Sequence, residues 1–511
     1  MKKLNLSEKN YIIPLFLVLI TLISRIFVAE KYFFGYDSIN YALGVIDFSL
    51  KATRPHLPGS FLFVKSIEAI NVIVGNIHQS FLILLNIFSV LSVWLTYFVF
   101  LKIFTPQKAI YLIVFLIFNP MVWFYGSVTE IYVFDWFFAS LILFISFQKR
   151  AIYILPIVFG IFSGFRPSSA ALLLPLYFYL LWNEKLINWS KLFVFVSLAL
   201  VFCLSWFLPL INSVGGIKEY FLLFSTNNPM ESISFAQNIF RLSSIMFYFI
   251  VPFSFLLFAK RGNQLIDIAE IIKIMFLIIP SVLFFVFSHY SKGYALIIIS
   301  PIVIFVGILL RENYRLPLTI AILAEIGIFL FLPTNETSLE SKINPKVRKS
   351  GITQIWFDRT FSDYSLTFSE ISLRDKSLNN LIDLIKSTKS DRIFLGPTIS
   401  HFGRPLQFYF PQIEILSVDF KKSKRYIQFR NKEVNQIFIE NYSKNDVLIV
   451  RKDFYDNYLS NFKPEITEDN LIVLSKTDNL HSAFESIVDS LFVRNWIPRK
   501  LKPPFIHKMM K

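Results

Sequence analysis

The chain has 511 residues, 54% of them hydrophobic and 17% aromatic, with 59 phenylalanines and a mean hydropathy of +0.55. That is far more apolar material than a soluble core of this size requires, so the composition excludes a soluble globular protein and indicates an integral membrane one. The net charge of +16 does not indicate a nucleic-acid binder: no basic, aromatic-interleaved motif accompanies it, and much of it lies in short breaks between apolar runs, where Lys and Arg set membrane orientation.

The chain starts with "MKKLNLSEKNYIIPLFLVLITLISRIF". This has the basic start of a signal peptide but no small-residue cleavage site, and its apolar run is long enough to span, so it reads as a retained first helix. A polar stretch follows, "YDSINYALGVIDFSLKATRPHLPGS" from Tyr36 to Ser60, within a first loop of residues 30–79. Further apolar windows begin near Ser80, Ala109, Tyr132, Ile152, Ala170, Lys191, Arg241, Ile271, Tyr294 and Pro317. With the first helix they make about eleven crossings at roughly twenty residues each.

Tracing alternate sides places the basic breaks Lys102 to Lys108, Lys149-Arg150, Lys185 to Lys191, Lys260-Arg261 and Arg311 to Arg315 on the side of Lys2 and Lys3. That side is cytoplasmic by the positive-inside rule, and an odd number of crossings leaves everything after Pro333 outside. "GFRPSS", Gly164 to Ser169, interrupts two short segments, as half-length helices meeting in the membrane or as one helix broken by Pro167.

After Thr334 the composition turns mixed and polar. "DRIFLG", "QIEILSV", "DVLIV" and "NLIVLS" read as β-strands, and "SLNNLIDLIKSTK" as a helix opened by a serine. The predicted organisation is a membrane domain over residues 1–333 and an extracytoplasmic α/β domain over 334–511. "GPTISHFGRP", Gly396 to Pro405, lacks the spacing of a phosphate-binding glycine loop, which leaves scaffolding or acceptor docking for that domain. The basic, proline-broken tail "VRNWIPRKLKPPFIHKMMK" suits lipid headgroups or a disordered end equally. The single cysteine, Cys203, excludes an intramolecular disulfide, and the six histidines include no HxxxH pair, so neither a metal site nor a cofactor is indicated.

The topology gathers one set of ionisable residues on the outer face. These are Asp37, Asp47, Arg54 and His56 in the first loop, Glu130 and Asp135 in "GSVTEIYVFD", Arg166 in "GFRPSS", and His289, Lys292 and Tyr294 in "SHYSKGY". Ionisable groups at membrane depth are costly unless paired or facing water, so a cluster at one interface points to a site. Each member also has a bland reading. Asp37 suits an N-cap for the helix in "SINYALGVI", Arg166 a snorkelling interfacial charge, and Glu130 a helix-start acid. His289 and Lys292 suit an ordinary loop, and Glu325 a pair with a neighbouring helix.

The stretch "YDSINYAL…DFSL…RPHLPGSFLFV" resembles the first extracytoplasmic loop of GT-C superfamily membrane glycosyltransferases, of the protein O-mannosyltransferase-like, polyprenyl-phosphate-sugar-dependent bacterial branch. "NPMVWFYGSVTEIYVFDWFFA", "GIFSGFRPSSAALLLPL" and "SHYSKGYALIIISPI" resemble later family segments in the same order. The likeness covers the first two-thirds of the chain and departs from the family at Ser38, Leu57 and Ser60. It implies a multi-pass cell-membrane enzyme with its N-terminus cytoplasmic. The implied reaction is transfer of a hexosyl or pentosyl group from a polyprenyl-phosphate donor to a hydroxyl acceptor on protein, lipid or glycan. It leaves a divalent metal open.

The resemblance implies Asp37 as general base. The chemistry agrees, because the acceptor hydroxyl must lose a proton as it attacks the anomeric carbon, with inversion. The leaving phosphate is already anionic and needs cations rather than an acid. Arg166, Lys292 and His289 are the candidates, then Arg54 and His56, while Glu130, Tyr41, Tyr294 and Asp47 are read as positioning substrate. The competing readings are a transporter or lipid flippase, and a membrane-anchored scaffold.

Overall fold

The computed structural model describes residues 12–148, 151–183, 188–226, 268–287, 292–310, 312–334, 365–396, 399–419, 425–429, 434–437, 445–475 and most of 479–487, with scattered positions between 243 and 256. Two units are distinguished, one of residues 1–334 with 359–373, the other of 335–358 with 374–511.

The first unit is helical. Its elements are α1 (Ile12–Phe27), α2 (Tyr36–Ile46), α3 (Phe61–Val74), α4 (Ile77–Ile103), α5 (Pro106–Phe118), α6 (Pro120–Tyr125), α7 (Val133–Ser146), α8 (Leu155–Phe162), α9 (Pro167–Asn183), α10 (Trp189–Val214), α11 (Ile217–Thr226), α12 (Ile268–Phe287), α13 (Leu296–Leu309) and α14 (Arg315–Phe331). Helix α4 is central, with α1, α3, α5 and α7 packed on it, α13 on α7 and α14 on α5, while α8 packs on α10 and α9 on α12. It starts at Ile77, ahead of the expected Ser80, because the Asn76 side chain accepts from the Gln79 N–H at 3.0 Å and caps the first turn.

Among the described residues, three helical stretches are long and apolar enough to cross a membrane: Ile77–Ile103, Trp189–Val214 and Lys292–Leu309. Five shorter apolar helices accompany them. Helices begin within a few residues of every expected start except Arg241, which lies outside the described residues. The expected eleven crossings are therefore not matched by as many full-length helices. The physical reason lies in the breaks. Asn119-Pro120 separates α5 from α6, and the turn Ser163–Arg166 ends α8 after two turns before Pro167 opens α9. Prolines 175, 209, 280 and 301 sit inside helices, which membrane bundles tolerate where neighbours satisfy the freed backbone.

The second unit carries a seven-stranded sheet in the order β4-β3-β2-β1-β5-β7-β6. The strands are β1 (Arg392–Leu395), β2 (Glu414–Asp419), β3 (Arg425–Phe429), β4 (Val434–Ile437), β5 (Val447–Arg451), β6 (Ile466–Glu468) and β7 (Leu471–Ser475). β1 runs parallel to β2 and β5, and the remaining pairs are antiparallel. Helices α16 (Gly403–Tyr409) and α17 (Lys452–Tyr458), with the part of α15 (Phe368–Ser387) from Arg374 onward, are interleaved as an α/β domain requires. Phe394, Leu416, Leu448, Val450, Phe454 and Ile472 form its core. The Arg392 guanidinium grips Asp446 with two bonds of 2.9 and 2.8 Å, across the starts of the adjacent strands β1 and β5.

Candidate active site

The candidate site is assembled at the end of the bundle where α4 begins. The link after α1 crosses the loop between α6 and α7: the Glu30 N–H donates to the Ser127 carbonyl at 3.1 Å, and the Glu30 carboxylate accepts from the Thr129 N–H at 2.9 Å and from the Thr129 hydroxyl. This delivers the chain into α2. Gly35 is the N-cap of that helix and Asp37 lies inside the first turn, so the capping role open to Asp37 in the sequence is not the one it takes. Its Oδ1 instead faces His56 Nδ1 at 3.6 Å, with both side chains partly exposed. The His56 ring lies edge-on to Tyr41, centroids 5.2 Å apart, and the Tyr41 hydroxyl is 3.4 Å from Ser60 Oγ.

Glu130 is buried under the same helix. Ser38 donates to its Oε1 at 3.3 Å, and a Cβ on Gly35 would stand only 2.8 Å from that oxygen, so a glycine lets the carboxyl come this close. Burial, with the charges of Asp37 and Glu30 added, pushes the Glu130 carboxyl up to about 8, against the pull of Arg166 and Ser38. Burial likewise raises the Tyr41 phenol, whose hydroxyl feels both Arg166 and Asp37.

Arg166, at the α8–α9 turn, is buried and paired to Asp135 Oδ2 at 2.9 Å, while Ser169 donates to the other Asp135 oxygen. Its guanidinium lies against two adjoining rings, 4.2 Å from the Tyr132 centroid and 4.4 Å from that of Tyr294. Gly293 makes this possible, since a Cβ there would fall 2.0 Å from the Tyr132 ring. The neighbouring Lys292 is buried, with its ammonium 5.6 Å from the Tyr248 ring centroid. The Leu62 N–H donates to the Gly164 carbonyl at 3.0 Å and Tyr220 OH to the Pro58 carbonyl at 3.2 Å, fastening the first loop to the α8–α9 turn and to α11.

Asp37, Tyr41, His56, Glu130, Arg166 and Tyr294 thus share one neighbourhood, with Lys292 beside Gly293 at its edge. Arg54 and Asp47 stand apart as a pair: buried Arg54 meets the exposed Asp47 at 3.3 Å, at the far end of α2 from Asp37. His289 lies outside the described residues. The sequence reading missed Glu30, Thr129 and His78, and missed Asp135 as the partner of Arg166. The available signal was an isolated acid, Glu30, immediately after an apolar span. No group of three or more metal-ligating side chains occurs among the described residues.

No family model matches the chain, and no curated protein matches it by sequence. Two crystal structures do match in three dimensions. One is ArnT from Cupriavidus metallidurans in the apo state, with a TM-score of 0.55 at 12% identity over 93% of this chain and 99% of that one. The other is the same protein bound to undecaprenyl phosphate, with a TM-score of 0.50 at 11% identity over 91% of this chain and 98% of that one. The chain has the ArnT fold. At these identities the likeness shows the fold alone, and it does not extend to the O-mannosyltransferase-like branch. The ArnT fold covers nearly the whole chain, including the α/β unit that the sequence resemblance left out.

Proposed function

We propose that the chain is an inverting membrane glycosyltransferase that moves a sugar from a polyprenyl-phosphate donor to a hydroxyl acceptor, with Asp37 as general base. The carrying observation is a partly exposed carboxylate set among buried cationic and acidic side chains at one end of an ArnT-fold bundle. An ArnT crystal structure holding undecaprenyl phosphate supports a donor of that class.

In the proposed reaction Asp37 takes the acceptor hydroxyl's proton as its oxygen attacks the anomeric carbon. The bond from that carbon to the phosphate oxygen breaks, and the electron pair leaves with the polyprenyl phosphate. Negative charge on the leaving group is met by cations, for which Arg166 and Lys292 are the first candidates, with His56, Arg54 and His289 as further ones. Asp135 and the two tyrosine rings hold Arg166 in a fixed plane, so little reorganisation is needed when charge develops. Glu130, Tyr41 and Tyr294 contact sugar or acceptor.

The test is sugar transfer by purified protein from radiolabelled polyprenyl-phosphate sugars. Asp37→Asn is expected to reduce kcat by about two to four orders of magnitude while retaining expression and lipid-phosphate binding. Transfer at the wild-type rate by Asp37→Asn removes Asp37 from its role.

A further inference from the structure

The Glu30 carboxylate is 1% exposed, in the link between α1 and α2. Its Oε1 accepts both donors of Thr129 and lies 3.4 Å from His78 Nε2 on the first turn of α4. Its Oε2 is buried with no donor among the described residues. His78 is itself held edge-on against Phe33, centroids 4.9 Å apart, and the Phe34 N–H reaches the Thr129 hydroxyl at 3.4 Å. With the Glu30-to-Ser127 backbone bond, these contacts clamp 30–34 onto 127–129, and Glu130 is the next residue along.

A neutral acceptor would still serve the two Thr129 donors, and burying a carboxylate is costly. The clamp therefore carries an acid beyond what the Thr129 bonds need, set beside the His78 ring and one residue from a second buried acid.

We propose that Glu30 is a positioning residue for the transfer reaction: its clamp on Thr129 sets Glu130 in place under the Asp37 helix, and its charge acts on the Glu130 carboxyl. The consequence for catalysis rests on the glycosyltransferase reading, whereas the coupling between the two acids does not. Glu130 is faced by Asp37 and Ser38 from α2, by Glu30 from the preceding link, by Tyr132 from its own loop and by Arg166 from the α8–α9 turn. Two like charges against one opposite charge, in a buried place, keep the proton on Glu130. A neutral Glu130 donates a hydrogen bond to a substrate oxygen and leaves Asp37 as the proton acceptor.

The experiment is an infrared pH titration of the full-length protein in lipid nanodiscs. Glu130→Gln identifies the carbonyl stretch of protonated Glu130. Glu30→Gln keeps an oxygen for both Thr129 donors and removes only the charge, so it is expected to lower the Glu130 midpoint by about one pH unit. An unchanged midpoint overturns the coupling. In the transfer assay, Glu30→Gln is expected to move the alkaline limb of kcat to lower pH with KM held, while Glu30→Ala lowers kcat roughly tenfold or more through misplacement of Glu130. A uniform fall in both variants with no displaced limb is the mark of a merely structural residue and overturns the positioning role. If the wild-type protein transfers no sugar, the glycosyltransferase reading falls, and the titration still decides the Glu30–Glu130 coupling.

Discussion

Asp37 faces His56 across 3.6 Å instead of turning back to the first N–H groups of its own helix, and this orientation leaves its carboxylate available for the proposed base role. Its neighbour Glu130 differs in kind, being buried where Asp37 is partly exposed. In the proposed reaction the two acids take unlike roles, Asp37 as base and a neutral Glu130 as hydrogen-bond donor. The sign of the pH effect follows. The Glu130 carboxyl is raised to about 8, so the neutral form is the working one at neutral pH, and activity should fall as pH rises through that value. Glu130→Gln, which cannot ionise, is expected to keep reduced transfer but lose this alkaline limb in a kcat profile, and a limb that persists assigns the titration to another group. At this scale the sequence displayed Asp37, Glu130 and Arg166 as polar residues interrupting apolar runs. It did not display Glu30 with Thr129, because that contact joins residues 99 apart in the chain, a separation no local periodicity encodes.

Helices α4, α7 and α13 are joined at their core by one polar network. The Thr96 hydroxyl meets Ser140 at 2.9 Å and Ser300 at 3.4 Å, and Trp136 Nε1–H donates to Ser300 at 2.8 Å, all four side chains being buried. Ser300 serves two partners where Ser140 serves one, so Ser300→Ala should destabilise the bundle more than Ser140→Ala, by about 1 kcal/mol. Thermal unfolding of the detergent-solubilised protein measures this, and equal losses for the two variants contradict the network. Elements were legible where apolar length or β-branched runs declared them. The segments that form β1, β2, β5 and β7 were read as strands in the sequence. β3, β4 and β6 were not, because "RYIQF", "VNQI" and "ITE" mix polar residues into runs too short to stand out. Helix α3 went unread because Lys65 and Glu68 interrupt its apolar face.

For the membrane unit as a whole, α4 measures the separation of its two ends. Its 27 residues span about 40 Å, with His78 and Phe81 beside the Asp37 neighbourhood and Phe104–Lys108 after its last turn. At that second end the Lys108 ammonium donates to the Leu310 carbonyl at 2.7 Å and Arg315 to Gln107 at 2.6 Å. Lys108 and Arg315 and the candidate site thus stand at opposite ends of α4. In a Cys203→Ser background, Lys51→Cys should label with an impermeant thiol reagent on intact cells, and Lys102→Cys only after lysis. The reverse pattern inverts the proposed orientation. The fold was legible as class and order because apolar runs and β-branched runs declare helices and strands locally; side-chain partnerships across the bundle depend on packing that patterning does not specify.

The most direct measurement is the position of the bound lipid phosphate in a cryo-electron microscopy structure of the protein with undecaprenyl phosphate. Phosphate oxygens are expected within hydrogen-bond reach, about 3 Å, of Arg166 or Lys292, at the end of the bundle that carries Asp37. Phosphate bound at the Lys108–Arg315 end, with the Asp37 neighbourhood closed to the lipid, would contradict that expectation.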